Sequence, residues 1–281
     1  MIVIRHATAG QFLKRAGSWL ETSETENNMI LGIASGLQKH PEACKSEPHF
    51  LTIEDNGAVV GSAVMAPPHH LVITRSSENA IEMTTHWLLK EQVSLPGVLG
   101  PEAEAQCFAN YWGGTTGKFP YLGFALRLHS CSSVMHPPHN GGQLRAASIA
   151  DTALLIQWCR EFIVATGVPE SADDCDELVP KRIADKTLYV WEDEQVVSMA
   201  GLGGDTAHGI RLGSVYTPPN FRGRGYATSC VAALTQRMLD TGKSFCCLYT
   251  DLANPTSNNI YQKIGYHPVC DWHDWFFEKK D

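Results

Sequence analysis

The stretch from Ser214 to Leu239, "SVYTPPNFRGRGYATSCVAALTQRML", constrains the fold more than any other part of the chain. Its β-branched and aromatic start reads as a strand. Pro218 and Pro219 cannot donate ladder hydrogen bonds, so the strand ends there. Gly223 and Gly225 then alternate with Arg222 and Arg224, and a helical pattern follows at once, with Ala227, Val231, Leu234 and Met238 on one stripe. A helix N-terminus presents unpaired N–H groups and the positive end of the helix dipole. Glycines let an anion approach the backbone, successive N–H groups can form a concave nest, and the two arginines add charge at the rim. The unit reads as a phosphate cradle. The plainer alternative is a tight turn that only starts a helix.

Composition narrows the setting. The chain has 281 residues, enough for one large domain or two ordinary ones. With 43% hydrophobic and 19% charged residues, a packed core is expected. The formal net charge of -8, with no dense Lys/Arg run, argues against a nucleic-acid partner. The nine cysteines include no Cys-x-x-Cys pair, and Cys246 and Cys247 sit in what reads as a buried strand. Neither a disulfide framework nor a metal site is expected, and a cytoplasmic location follows. The opening "MIVIRHATAGQFLKRAG" has too short an apolar run for a signal peptide, and no apolar segment is long enough to span a membrane.

The stretch "HSCSSVMHPPHNGGQ" is rich in turn residues and divides the chain into 1–138 and 139–281. His129, His136, His139 and the more distant His70 lie around it, and are read as solvated side chains rather than metal ligands. The second half reads as strand, helix, three strands, helix, strand, helix, strand. This is a mixed α/β (α+β) layer architecture. From "HFLTIED" onward the first half echoes part of that order, which suggests an internal duplication. Where the second half has "TPPNFRGRGYA" the first has "TRSSENA", so the first copy is read as degenerate.

The glycine spacing fits neither a P-loop nor a dinucleotide fingerprint. Arg222-Gly223-Arg224-Gly225-Tyr226-Ala227 instead fits Arg/Gln-x-x-Gly-x-Gly/Ala. After a strand and opening a helix, it resembles the acetyl-CoA signature of the GNAT N-acetyltransferase superfamily. The stretch "NPTSNNIYQKIGYHPV" is similar to a second family segment, filled here by Asn254, Ser257, Tyr261, Gly265 and Tyr266. The resemblance covers roughly residues 143–278. It implies two GNAT-like units in tandem, the first degenerate, with acetyl-CoA as co-substrate and an unidentified amine as acceptor. In such a fold the strand before the glycine turn splays from its parallel neighbour, here "SFCCLYTDL". Val215, Tyr216 and Thr217 would line the pantetheine arm with backbone groups. Arg222, Gly223, Arg224, Gly225, Tyr226 and Ala227 would hold the pyrophosphate, and Asn254 and Ser257 would touch the cofactor. Asn254 is also a good N-cap, with Pro255 at the first helical position.

By the same resemblance, Val215 or Tyr216 would polarise the thioester with a backbone N–H, and Tyr261 would be the general acid. Glu161, Glu192 and Asp205 are candidate bases, though each reads first as a surface charge. Cys230 reads as core, and His267 and His273 could face the acceptor. "ESADDCDELVP", with Glu170, Asp173, Asp174, Asp176 and Glu177, reads as an acidic loop suited to a cationic acceptor. Two other readings stand beside the transferase: a non-catalytic acyl-CoA-binding or regulatory module, and a transferase of a longer acyl group. A serine hydrolase is disfavoured because no Gly-x-Ser-x-Gly occurs.

Overall fold

The computed structural model describes residues 1–137, 141–168, 172–254 and 260–278. In the first half the chain runs through β1 (Ile2–His6), α1 (Ala9–Glu21), α2 (Asn28–Lys39), β2 (His49–Asp55), β3 (Ala58–Met65) and β4 (Leu71–Ile73). It continues through α3 (Glu78–Lys90), β5 (Gly97–Pro101), α4 (Glu102–Thr116) and β6 (Phe119–Cys131). The second half contains β7 (Gln143–Ala146), α5 (Thr152–Thr166), α6 (Cys175–Ala184), β8 (Leu188–Asp193), β9 (Gln195–Gly203) and β10 (Gly209–Tyr216). It ends with α7 (Tyr226–Asp240), β11 (Phe245–Asp251), helical residues 260–263 and β12 (His267–Glu278). Both halves therefore follow one order: strand, two helices, three strands, helix, strand, helix, strand.

Among the described residues the strands form one sheet in the order β1-β2-β3-β4-β5-β12-β6-β11-β10-β9-β8-β7. The arrangement is palindromic. Each half opens with an antiparallel run of four strands followed by a parallel pair, β4 with β5 and β10 with β11. The last strands are exchanged. β6 pairs with β11 of the second half, β12 pairs with β5 of the first, and β6 and β12 pair with each other at the centre. The cut read between residues 138 and 139 divides the sequence, but sheet pairing crosses it in both directions.

Packing follows from strand alternation. On one face α1 and α2 bring Phe12, Leu20 and Ile30 onto Phe50, Val64, Leu128, Cys247 and Trp272, which come from both halves. α3 and α4 cover the other face of the first half with Ile81, Leu88, Phe108 and Trp112. In the second half Val231, Leu234 and Met238 of α7 pack on Val197, Leu212 and Cys246, while Ala227 is half-buried. α5 and α6 cover Leu188, Val190, Met199 and Tyr216 with Leu155, Trp158 and Val179. Arg211 is paired with both Gly203 and Cys247, and paired residues share a sheet face. That puts α6 on the same face as α1 and α2.

Local signals explain the ends. Gly167, at φ 68°, closes α5 in the left-handed conformation. Gly265, at φ 102°, follows the 260–263 turn, and a Cβ there would meet the Ser133 carbonyl oxygen at 2.5 Å. The acidic stretch differs from expectation. Residues Ala172–Asp174 form a 3-10 turn and α6 begins at Cys175, so most of the segment is helix rather than loop. Asp176 and Glu177 fall in its first turn, where negative charge favours a helix. Asp176 pairs with Arg160, and Glu170 lies outside the described residues.

Two outcomes are expected. Leu128→Ala should cost about 2–5 kcal/mol, because it opens a cavity in a cluster shared by both halves. The loss should move a single urea transition seen alike by circular dichroism and tryptophan fluorescence; two transitions with one displaced would contradict the fused sheet. Separately, Asp151 receives Arg145 Nη1 and Nη2 at 2.7 and 2.9 Å, and this pairing pushes its carboxyl down to about 2. A depressed carboxyl contributes stability above its ordinary value of 3.8 that is lost as pH falls toward about 2. Asp151→Asn should therefore be less stable than wild type near neutral pH, with the gap closing in acid.

Candidate active site

The sheet opens where β10 leaves β11. The two are paired at Gly209, Ile210 and Arg211, and no further. β11 continues straight, paired to β6 as far as Asp251. β10 continues toward Tyr216 along β9, through an irregularity between Gly213 and Tyr216. Ser214 sits in that bulge at φ 50°. Neither Ser214 nor Val215 has a ladder partner in β9 or β11. Bulges re-aim a strand in this way. This is the splay that the sequence resemblance implied.

Past Tyr216 the chain passes Thr217, whose Oγ1 lies 2.9 Å from Ser198 Oγ, and the Tyr216 carbonyl accepts a second bond from Ser198 at 3.2 Å. The Tyr216 ring is turned onto the α5 face, where its hydroxyl donates to Glu161 Oε2 at 2.9 Å. Pro219–Phe221 form a short 3-10 turn, and the glycine turn follows. Gly223 and Gly225 take φ 76° and 80°, conformations that side chains strain to adopt. Nothing lies within 4 Å of where a Cβ of Gly223 would stand. No side chain caps α7, and no acid occupies its first turn. These features suit a phosphate group.

The two arginines act differently. Arg222 donates from Nε to the Thr217 carbonyl at 2.9 Å and lies 5.9 Å over the Tyr216 ring, so it braces the turn while its side chain stays exposed. Arg224 is exposed and neighbours the Tyr226 phenol. Tyr226 itself is buried and donates to Asp193 Oδ2 at 2.7 Å, tying the start of α7 to the end of β8. Its side chain is thus structural, and its backbone alone belongs to the turn.

Tyr261 follows the segment 255–259, which lies outside the described residues together with Ser257. Asn254 is exposed, and its N–H donates to Asp251. The Tyr261 ring is buried between the core and Tyr266, 6.0 Å away. Burial, with the Cys230 thiol nearby, pushes its phenol up to about 12. The Tyr266 hydroxyl is bonded to Thr235 Oγ1 at 2.8 Å, whereas that of Tyr261 has no hydrogen-bond partner among the described residues. The phenol therefore keeps its proton, and among the described residues no hydrogen bond claims it.

The remaining candidates sort by position. Glu161 reaches the site strand through Tyr216. Glu192 is held by Arg145, and Asp205 by Lys39 and Lys243, away from the opening. Cys230 is fully buried with its thiol pushed up to about 12, so it is core. His267 is exposed, and His273 lies on the part of β12 paired with β5, beside Glu102. The other histidines do not gather: His129 is buried in β6, His70 bonds Asp274, His136 is exposed, and His139 lies outside the described residues. No cluster of metal-ligating side chains occurs among the described residues, and none of their helices is long and apolar enough to cross a membrane.

Comparison with known proteins agrees with this geometry. Residues 198–276 match the family model described as FR47-like protein. No curated protein sequence is detectably similar to the chain. A GNAT-family acetyltransferase from Colwellia psychrerythraea is 14% identical, with TM-score 0.57 over 100% of both chains. A GCN5-related N-acetyltransferase from Sphaerobacter thermophilus is 14% identical, with TM-score 0.59 over 98% of this chain and 95% of that one. A tandem GNAT protein from the clavulanic acid biosynthesis pathway is 11% identical, with TM-score 0.57 over 99% of this chain and 98% of its own. The chain has the fold of the GNAT acetyltransferases along its whole length, with two such units in tandem.

Because Gly225 must hold a left-handed conformation at the head of α7, Gly225→Ala should destabilise the protein by about 1–2 kcal/mol, read from urea midpoints. An unchanged midpoint would mean the turn relaxes without strain.

Proposed function

We propose that the protein is an acetyl-CoA-dependent N-acetyltransferase that moves an acetyl group to a primary amine by direct attack. The observation that carries this reading is the parting of β10 from β11 beyond Arg211, with the unpaired backbone of Ser214 and Val215 at the gap and an uncapped glycine turn at its end. The residues fit the co-substrate: a slot between strands for an extended arm, an anion-accepting helix start, and a protonated phenol. Bound acetyl-CoA supplies the activated acetyl group and a thiol leaving group. The working unit is residues 139–281, completed by β6 from the first half.

The roles of the side chains follow. Val215 N–H, outside any ladder, is the donor for the developing oxyanion, with Tyr216 behind it in the strand. Gly223, Gly225 and Ala227 present backbone to the pyrophosphate, and Arg222 and Arg224 flank it, while Thr217 and Asn254 border the arm. The Tyr261 hydroxyl donates a hydrogen bond to the leaving sulfur. With its phenol at about 12 and an ordinary thiol near 8.5, full proton transfer is uphill by roughly 5 kcal/mol. Tyr261 therefore stabilises the forming thiolate: as the amine nitrogen bonds to the acetyl carbon and the carbon–sulfur bond breaks, the nitrogen gives its proton to solvent and the thiolate takes one back from solvent. A non-catalytic acyl-CoA module would need no such donor, and the Tyr261 hydroxyl, without a hydrogen-bond partner among the described residues, favours catalysis.

Tyr261→Phe should lower kcat by about 100-fold or more while leaving the acetyl-CoA dissociation constant nearly unchanged. Equal losses in binding and turnover would show that the ring only packs.

A further inference from the structure

Beside the opening, on the face shared by α2 and α6, two arginines have no acidic partner among the described residues. Arg182, in the last turn of α6, donates from Nη1 to Ser214 Oγ at 2.9 Å and from Nη2 to the Leu202 carbonyl at 3.1 Å. Its guanidinium lies against Gly201, where any Cβ would overlap Nη2. Arg211 is the last β10 residue paired to β11, and it donates from Nη1 to Asn28 Oδ1 of α2 at 3.2 Å. Among the described residues no carboxylate oxygen lies within 4.0 Å of either guanidinium. The acids Glu24 and Glu161 are committed elsewhere. Glu24 accepts from Thr206, His208 and Gly209, and Glu161 accepts from Tyr216 and Gln157.

This arrangement is costly for a structural strut. Burial pushes the Arg182 guanidinium below its ordinary value; Cys159 opposes this, and the Arg211 charge adds to it more weakly. Removing a charge from water and setting it beside a like charge is unfavourable unless an opposite charge arrives. Room for one exists. Gly203 and Gly213 are exposed on this same face, with nothing within 4 Å of where their Cβ atoms would stand. Gly213 adjoins Ser214, so the open floor is continuous with the unpaired backbone to which the acetyl carbonyl is assigned.

We propose that Arg182 and Arg211 form an anion subsite that recognises a carboxylate on the amine acceptor. The class of acceptor is then an amine that carries its own carboxylate, as free amino acids do. This rests on the transferase reading above for the identity of the acceptor, but the subsite itself is built from residues that the reading does not use. A guanidinium fork matches a carboxylate in two parallel bonds, and the two cations together would orient it. The carboxylate end held on the Gly213 floor leaves the amine directed toward the bulge. The acidic first turn of α6 lies at the opposite end of that helix from Arg182 and does not enter the subsite.

The test uses the arginine Nε–H NMR signals of the whole protein, assigned with Arg182→Lys and Arg211→Lys. N-acetylglycine and N-acetylglycinamide, which differ in the carboxylate, are titrated to high millimolar concentration. Saturable shifts of both signals with the acid and none with the amide are expected, and Arg211→Gln, which spares the Ser214 contact, should weaken binding about tenfold or more. No shift with the acid, or equal shifts with both probes, overturns the subsite. In parallel, CoA release is followed with the common amino acids and their amides as acceptors. Turnover that favours the amides, or is indifferent to the carboxylate, overturns the subsite while the transferase reading stands. Carboxylate-dependent shifts without any CoA release would instead leave the subsite standing and remove the transferase reading.

Discussion

β6 is the element on which the rest depends. A strand that leaves its parallel neighbour exposes that neighbour's hydrogen-bonding edge, and an unsupported edge would collapse or twist back. Here β11 keeps its ladder because β6 holds its other side from Cys246 to Asp251, well past the point where β10 departs. β6 is in turn fixed along its length by β12. The opening is therefore braced by the sheet, and the strand that braces it is supplied by the first half. That gives the first half a physical role even without a cofactor turn of its own.

The two units have the same order and opposite electrostatics at corresponding places. α7 begins on a left-handed glycine with no capping side chain and no acid in its first turn. α3 begins on Ser77, whose side chain accepts from the Ala80 N–H, and it carries Glu78 in the first turn. A cap already satisfies one donor that an anion would need, and a carboxylate repels the anion. The first unit is thus closed to phosphate by its own helix start, and its α1 and α2 have become a wall of the shared face, where Asn28 meets Arg211.

Much of the second half is legible in the sequence because its signals are local. Pro218 and Pro219 end a strand, Gly225 starts a helix, and Gly167 ends one, each through its own backbone preference. The segment that became α6 misleads because Asp173, Asp174, Asp176 and Glu177 read as a solvated loop and Pro180 interrupts the pattern, although acids in a first turn support a helix. Arg182 is not legible either: nothing in sequence spacing shows that Gly201 clears a place for its guanidinium. The exchange of β6 and β12 was not readable either, since strand pairing is non-local and the same alternation serves either partner. The motif singles out Tyr261, but that its hydroxyl has no hydrogen-bond partner among the described residues is a fact of packing. The splay itself was implied by resemblance and then seen in the registers.

The most direct measurement is thermal unfolding with and without acetyl-CoA, on the wild type and on Gly225→Glu. A carboxylate at the head of α7 would occupy the place assigned to the pyrophosphate. At about 100 times its dissociation constant the ligand should stabilise the wild type by roughly 2.7 kcal/mol, and that gain should vanish in a variant that still folds. A wild type that unfolds at the same temperature with and without acetyl-CoA, or a variant that keeps the full gain, would contradict the assignment of this opening as the acetyl-CoA site.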